Sequence, residues 1–139
     1  MHHLATVILE HVTRTGRHFD WLFEHPAVPG PAAPLWAARL ALPPHAWDRP
    51  RRLILTRLPD HRRRYLTYQG PLTRGRGEVR RVEAGTVQPV LWAAERAVLW
   101  VTLRHWDGRA DLRRLTDERW ALVLRPSGEN PLCQAAAGS

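Results

Sequence analysis

Alternating hydrophobic and polar residues dominate the chain and predict β-strands. Along "GRHFDWLFE" (16–24), every second residue shares a face, because successive side chains of a strand point to opposite sides. One predicted face is largely aromatic and the other mostly polar: Arg17, Phe19, Trp21 and Phe23 against His18, Asp20, Leu22 and Glu24. The β-branched run "ATVILE" (5–10) comes before it, and the linking "VTRTG" (12–16) ends in a glycine free to adopt positive φ. The two runs therefore predict a β-hairpin.

Further short runs bounded by Gly, Pro, Asp or Glu predict more strands. They are "LWAARLAL" (35–42), "LILTRL" (53–58), "YLTYQG" (65–70), "GEVRRVEAGTV" (77–87), "RAVLWVTLR" (96–104), "RADLRRL" (109–115) and "ERWALVLR" (118–125). For the alanine-rich 35–42 segment, a helix is the alternative. Between these runs, "PDHRRR" (59–64) predicts a helical turn or a tight loop. The spacing predicts an all-β fold, a small antiparallel β-barrel of about eight strands with irregular loops and little helix. We expect one domain over residues 1–125 and a disordered tail over 126–139.

Composition limits the class of protein. A chain of 139 residues with 44% hydrophobic residues suits one globular domain with its own core. No apolar run reaches the roughly 18 residues that span a bilayer, and the opening "MHHLATVILEH" lacks the features of a signal peptide. Cys133 is the only cysteine, which excludes a disulfide within the chain. These features predict a cytoplasmic protein with no membrane partner.

Net charge adds a prediction about partners. The formal charge is +8, and all 21 residues counted as Lys or Arg are arginine. So basic a chain favours a polyanionic partner, nucleic acid or a phosphorylated ligand, over a membrane, because no basic amphipathic helix is predicted. The alternative is a solvated arginine surface that reflects codon usage in a GC-rich genome.

The predicted hairpin also brings candidate metal ligands together. His18 and Asp20 are two residues apart on one strand and share a face, and His11 ends the preceding strand directly across the turn. Two imidazoles and one carboxylate suit a divalent ion that keeps positions open for water and substrate. Ordinary surface histidines are the alternative, because a His-x-Asp spacing also arises by chance.

Two further segments carry candidate chemistry. In "DHRRRY" (60–65), His61 lies beside three arginines, which suits contact with phosphate oxygens or proton transfer. In "QGPLTRGRGEVRR" (69–81), glycines would let the backbone approach a ligand among arginines, although the spacing is not that of a nucleotide P-loop. The alternatives are a solvated basic loop and a glycine-rich hairpin turn.

Several of these segments, in order, resemble the 3′-phosphoesterase domain of bacterial DNA ligase D. That family has a histidine after a strand, then H-Y-D-F-R-L-E, then D-H-P, and a glycine-rich turn before a G-T-V strand. The matching stretches are "ILEH" (8–11), "HFDWLFE" (18–24), "DHRRRYLTYQG" (60–70) and "RGRGEVRRVEAGTV" (74–87). "RADLRRLTDERWALVL" (109–124) resembles the closing strands of the family. The chain looks like a short stand-alone form without polymerase or ligase modules.

The resemblance implies a small β-barrel that uses a divalent ion to process 3′ ends in DNA break repair. The implied ion is Mn²⁺, with Zn²⁺ or Fe²⁺ as alternatives. The implied reaction removes a 3′-phosphate or a 3′-ribonucleoside, in non-homologous end joining, with an end-joining ligase or end-binding proteins as partners in trans. By position, the implied metal ligands are His11, His18 and Asp20, and the implied catalytic residues are His61 and Tyr65. The expected phosphate and nucleic-acid contacts are Arg14, Arg62 and Arg76.

One departure from the family pattern bears on activity. Leu22 occupies the position of the arginine in H-Y-D-F-R that clamps phosphate, and leucine makes no charged contact. Arg17 points to the other predicted face, whereas Arg14 and Arg76 could reach over. A catalytically weak or inactive β-barrel that binds nucleic-acid ends is therefore the alternative hypothesis. A third hypothesis is a barrel that acts on some other phosphoester and never meets nucleic acid.

Overall fold

The structure, a computed structural model, describes residues 3–129; the predictions that fall on 130–139, including the single cysteine, lie outside these residues. Nine strands and three short 3₁₀ turns form the described chain. The strands are β1 (Leu4–Thr13), β2 (Gly16–Glu24), β3 (Leu35–Leu40), β4 (Arg51–His61), β5 (Gly70–Pro71), β6 (Glu78–Trp92), β7 (Arg96–Leu103), β8 (Asp107–Arg114) and β9 (Arg119–Pro126). The 3₁₀ turns are Pro44–Ala46, Arg63–Leu66 and Ser127–Glu129. The predicted all-β class with little helix is confirmed.

The strands form one antiparallel sheet that closes into a ring. Its order is β1-β2-β3-β4-β9-β8-β7-β6, and β6 pairs back onto β1. The 15-residue length of β6 makes this closure possible. Its first part pairs with β1 and with the two-residue β5, and its last part pairs with β7. The ring therefore has eight strands with β5 as a short addition, which confirms the predicted strand number.

The interior of the ring holds the main hydrophobic core. The aromatic face predicted for β2 points into it, so that Phe19, Trp21 and Phe23 are all buried there. Trp21 is fully buried and its Nε1 donates to Thr6 Oγ1 over 2.9 Å, which satisfies the one polar atom of the indole. This packing fixes β2 in the sheet and turns its other face outward.

A second, smaller hydrophobic cluster lies on the outer face of β1, β2 and β3. Its buried members are Val7, Leu9, Leu22, Leu35, Ala37 and Val79. The segment between β4 and β6 folds over this outer cluster and packs Tyr65, Leu66, Tyr68 and Leu72 against it. One outward position of β2, Leu22, is thus used for packing.

The segment "YLTYQG" (65–70) is not a strand, contrary to the prediction from its alternating residues. It contains the end of a 3₁₀ turn and a short irregular stretch before β5. Its backbone bonds are local, with Tyr65 N donating to Arg62 O and Tyr68 N to Arg64 O. Both tyrosines pack on the outer cluster, edge to face at 5.9 Å between ring centroids. The alternating apolar residues of this segment therefore reflect packing of an irregular loop and not the two faces of a strand.

The ends of two strands, β4 and β9, also differ from the prediction. β4 continues through "PDH" to His61, and the helical turn expected in "PDHRRR" begins only at Arg63. β9 extends to Pro126, which pairs with Gly108, so the ordered chain reaches into the segment predicted as a tail. A 3₁₀ turn follows up to Glu129.

Candidate metal centre

Strand register brings His11, His18 and Asp20 together on the outer face of the first hairpin. His11 of β1 pairs directly with His18 of β2, and the next outward pair is Leu9 with Asp20. Because both pairs project from the same face, the two imidazoles and the carboxylate meet beside the outer cluster. These three residues are called the triad below.

The donor atoms of the triad are spaced as the ligands of one ion would be. His18 Nε2 is 2.9 Å from His11 Nδ1 and 3.3 Å from Asp20 Oδ1, and His11 Nδ1 is 3.5 Å from Asp20 Oδ2. Nitrogen and oxygen ligands at about 2.0–2.2 Å from one ion lie roughly 2.8–3.6 Å apart in adjacent octahedral or tetrahedral positions. The three observed separations therefore fit one side of a coordination sphere.

A backbone carbonyl fixes the tautomer of His11. Arg76 O lies 2.7 Å from His11 Nε2, and a carbonyl only accepts, so Nε2 carries the proton and donates it. In the neutral ring, Nδ1 is then an unprotonated lone pair that faces His18 and Asp20. Metal-binding histidines are commonly oriented by a contact of this kind at the other ring nitrogen.

Asp20 is buried and incompletely paired. Its Oδ1 receives no hydrogen bond from residues 3–129, although His18 Nε2 and Arg39 Nε lie 3.3 and 3.6 Å away. Asp20 is only 4% exposed, and a buried carboxylate oxygen without a hydrogen-bond donor is costly. A cation among the triad atoms would satisfy this oxygen.

The environment of His18 favours its neutral form. Burial lowers the pKa of His18 below its ordinary value, because it disfavours the imidazolium. Asp20 acts in the opposite direction, and the neighbouring Arg39 and His11 lower the pKa of His18 further. His18 is therefore neutral at pH 7, which is the form that binds a metal ion. The residues present thus fit a divalent ion such as Mn²⁺, Fe²⁺ or Zn²⁺.

An open cavity of about 770 Å³ adjoins the triad. His11 and Asp20 line one end of it, and the segment from Leu58 to Arg76 supplies most of the remaining wall. Gly77 holds this wall against β1: a Cβ there would lie 2.0 Å from Val12 O, and its φ of +86° lies in the left-handed region. The close backbone approach expected of the glycine-rich segment therefore occurs toward β1, where it delivers Arg76 O to His11.

His61 and Tyr65 line the same cavity, but at a distance from the triad. His61 Nδ1 donates to Pro59 O over 2.8 Å, which leaves Nε2 for a ligand, and the ring packs edge-on against Tyr65 at 5.6 Å. His61 pairs with Leu35 of β3, whereas Asp20 pairs with a residue four positions further along the same strand. That offset corresponds to about 13 Å. His61 and the triad therefore lie at different parts of the cavity wall.

Two of the three arginines expected to bind phosphate line the cavity. Arg62 and Arg76 border it, whereas Arg14 is exposed in the two-residue turn between β1 and β2, outside its lining. The Arg76 guanidinium is turned back onto its own loop, where Nε donates to Thr73 O over 3.1 Å. Of these three, Arg62 is the one whose exposed side chain borders the cavity without being turned back in this way.

Arg39 is the functional candidate that sequence reasoning missed. It lines the cavity, pairs with Asp20 in the β2–β3 register, and places Nε 3.6 Å from Asp20 Oδ1. Its Nε is buried and donates no hydrogen bond to the described residues, while the side chain as a whole is 42% exposed. The guanidinium can therefore face an anion in the cavity. The sequence does show Arg39 as a single charge in the apolar run "LWAARLAL" (35–42). Its position beside Asp20 could not be predicted, because it depends on the register between β2 and β3.

Fold and site together define a class: a closed antiparallel β ring whose first hairpin carries a candidate metal centre of two histidines and one aspartate. No known protein family matches this chain by sequence, and no curated protein matches it at a significant level. The resemblance to the phosphoesterase domain of DNA ligase D stays a prediction. Within residues 3–129, no helix is long and apolar enough to cross a membrane.

Proposed function

We propose that the chain is a divalent-metal-dependent phosphoesterase that removes a 3′-phosphate or 3′-ribonucleoside from nucleic-acid ends in DNA break repair. The observation that supports this most is the convergence of His11 Nδ1, His18 Nε2 and the Asp20 carboxylate beside a cavity lined by arginines. Two imidazoles beside a buried carboxylate oxygen without a hydrogen bond are suited to a cation. The arginines and the net charge of +8 suit an anionic substrate.

The triad and Arg39 would act on different oxygens of the reacting phosphate. His11, His18 and Asp20 would hold the ion, which when bound neutralises a phosphate oxygen and lowers the pKa of a bound water. Arg39 approaches from the neighbouring strand, beside Asp20, and would donate to another oxygen of the same phosphate. It would thereby supply the guanidinium contact that Leu22, buried in the outer cluster, does not make.

His61 and Tyr65 would act on the neighbouring part of the substrate. Their separation from the triad, about 13 Å along the sheet, places them beyond the reacting phosphate. With Nδ1 tied to Pro59, His61 presents Nε2 toward the cavity and would contact the preceding nucleotide of the strand. Arg62 at the same end would bind its backbone phosphate.

Release of phosphate from a 3′-phosphorylated DNA primer tests the proposal. The purified chain should release inorganic phosphate when Mn²⁺ is added, and Asp20→Asn should abolish the release while leaving the fold intact. Leu115→Ala, at an exposed residue of the turn between β8 and β9, is the matched control and should cleave normally. An absence of release with every divalent ion tried, although the chain binds the ion, would rule out the enzyme.

A second candidate function is a non-catalytic ring that binds nucleic-acid ends. It is favoured by one observation, the burial of Leu22 in an apolar cluster where a phosphate-binding arginine would be expected. This alternative predicts that His18→Ala leaves end binding intact. It also predicts that replacing Arg62 and Arg64 by alanine weakens binding and reduces its salt dependence. Arg63 is left in place because it forms a 2.8 Å ion pair with Glu24.

A further inference from the structure

Trp100 differs from the other tryptophans in its exposure. Six of the seven pack in or against the interior core: Trp21, Trp36, Trp47, Trp92, Trp106 and Trp120. Trp100 is 48% exposed and points outward from β7, between the buried Leu99 and Val101. An indole with half its surface in water contributes little to the core, and an aromatic ring on an open sheet face is typical of a surface on which bases stack.

Arginines surround Trp100 on the same face. Trp100 pairs with Arg109 of β8, and Arg109 pairs with Arg125 of β9, which gives a row of one indole and two guanidinium groups. The outward positions of β4, β7, β8 and β9 carry six arginines and two aspartates: Arg52, Arg96, Arg109, Arg113, Arg119 and Arg125, with Asp107 and Asp111. These outward positions, called the Trp100 face below, carry a net formal charge of +4, with Asp111 paired to Arg96 and Arg109.

Trp100 lies far along the sheet from the candidate metal centre. In the closed order β6 lies between β1 and β7, and on β6 His11 pairs with Val79 whereas Trp100 pairs with Gln88. Nine residues along a strand correspond to about 30 Å. A group bound at the triad therefore does not reach Trp100, and the two surfaces are separate sites.

We infer that the Trp100 face binds single-stranded nucleic acid, with one base stacked on Trp100 and the phosphate backbone lying along the arginines. Charge complementarity selects a polyanion, and a free indole face requires an unpaired base, which a duplex does not offer. Val90 and Leu91 of β6 are also exposed near Trp100, whereas arginines separate it from the exposed Ile54 of β4. The charged side chains of the face outnumber its large exposed apolar ones, which favours a polyanion over a second copy of the chain. This second site shares its class of partner with the proposed function but does not depend on catalysis.

Binding of a labelled oligothymidylate of roughly 16 nucleotides, followed by fluorescence anisotropy without metal, tests this inference. Trp100→Ala should raise the Kd about 5- to 160-fold, which corresponds to the loss of one stacked base, and Trp100→Phe should restore most of the affinity. Replacing Arg109 and Arg125 by alanine should reduce the slope of log Kd against log salt by about 1.4. Val28→Ala, at a residue that is 42% exposed in the loop between β2 and β3, should bind as the wild type does.

Wild-type affinity in a folded Trp100→Ala variant would overturn the inference. So would a dimer of the wild-type chain that Trp100→Ala converts to monomers without any change in oligonucleotide affinity, because the face would then be a contact between copies. Failure of the two proposals is distinguishable. Trp100→Ala should retain metal-dependent cleavage of a 3′-phosphorylated dinucleotide, which is too short to reach from the triad to the Trp100 face, whether or not it binds the longer strand.

Discussion

Among single residues, Arg39 has the largest bearing on the proposed activity, because its guanidinium lies beside the buried Asp20 and lines the same cavity. Its role could not be predicted from the sequence, since it depends on the pairing of Asp20 with Arg39 between β2 and β3. His18 and Asp20 were predictable as neighbours because the two-residue period of a strand is local. His11 followed from the short hairpin turn, which fixes the register of β1 against β2.

Arg39→Ala should lower kcat/KM for Mn²⁺-dependent phosphate release by about 10- to 100-fold, the loss expected for one charged hydrogen bond to the phosphate. Arg39→Lys should recover only part of this, because lysine lacks the planar fork of donors. Arg14→Ala removes an exposed arginine outside the cavity and serves as the control, with an unchanged rate expected. Steady-state kinetics on one primer measures all three variants; equal rates for Arg39→Ala and wild type would exclude Arg39 from the site.

At the level of elements, the segment between β4 and β6 forms most of the cavity wall. Sequence alternation predicted a strand at 65–70, but the segment finds no neighbouring strand there and instead packs its tyrosines on the outer cluster. The glycine-rich part was expected to let its backbone approach a ligand, and in the structure it closely approaches β1. Its partner, the carbonyl of Val12, could not be predicted because it lies about 65 residues away in the chain.

Gly77→Ala should disturb both the segment and the triad. The added Cβ would collide with Val12 O and the residue would keep a positive φ, so we expect a loss of about 1–3 kcal/mol in the free energy of unfolding. Displacement of Arg76 O from His11 should also weaken Mn²⁺ binding. Urea unfolding and metal titration measure the two effects.

Gly75→Ala is the matched control for that change. Gly75 also has a positive φ, of +64°, but no atom lies within 4 Å of the position that a Cβ would take, so only the smaller conformational cost should appear. Equal metal affinity in the two variants would show that the backbone of the glycine-rich segment does not support His11.

Glu24 anchors the other end of the same segment and makes stability depend on pH. Burial alone would raise the pKa of Glu24, but the hydrogen bond from Ala5 N at 2.7 Å and the ion pair with Arg63 outweigh it, and the pKa lies below its ordinary value. A carboxyl group with a lowered folded-state pKa stabilises the fold above its ordinary pKa. That contribution disappears as the pH falls through the folded-state pKa.

Glu24→Gln should therefore be less stable than the wild type at pH 7, by about 0.5–1 kcal/mol for a half-buried ion pair. The difference should shrink as the pH is lowered below the ordinary pKa of a glutamate, because the wild type then loses the charge as well. Urea unfolding of both proteins at neutral and acidic pH gives the two differences. A gap that stays the same at acidic pH would show that the Glu24 charge is not what holds the segment.

For the whole molecule, the number of strands was predictable but the way they close was not. The two-residue alternation and the turn residues gave about eight strands, as the ring has. The length of β6 was underestimated, because Pro89 resembles a strand end. In the structure a register shift between Pro89 and Leu91 accommodates the proline, and β6 continues to Trp92. This extra length lets one strand pair with β1 at its start and β7 at its end, which closes the ring.

The placement of the site follows from this closure. Aromatic side chains fill the interior, so the polar face of the first hairpin must point outward, where only a loop segment covers it. A site on the outer wall stays open to a long substrate, in contrast to one enclosed within the ring. The proposed activity depends on that outward face binding a cation through His11, His18 and Asp20.

Calorimetric titration of the metal-free chain with Mn²⁺ tests this claim most directly. We expect one ion to bind per chain. Asp20→Asn keeps the shape of the side chain but removes its charge. It should weaken Mn²⁺ binding more than the loss of a residue that only supports a ligand, which typically costs about 10- to 100-fold. Unchanged affinity in Asp20→Asn, or no binding by the wild-type chain, would contradict it.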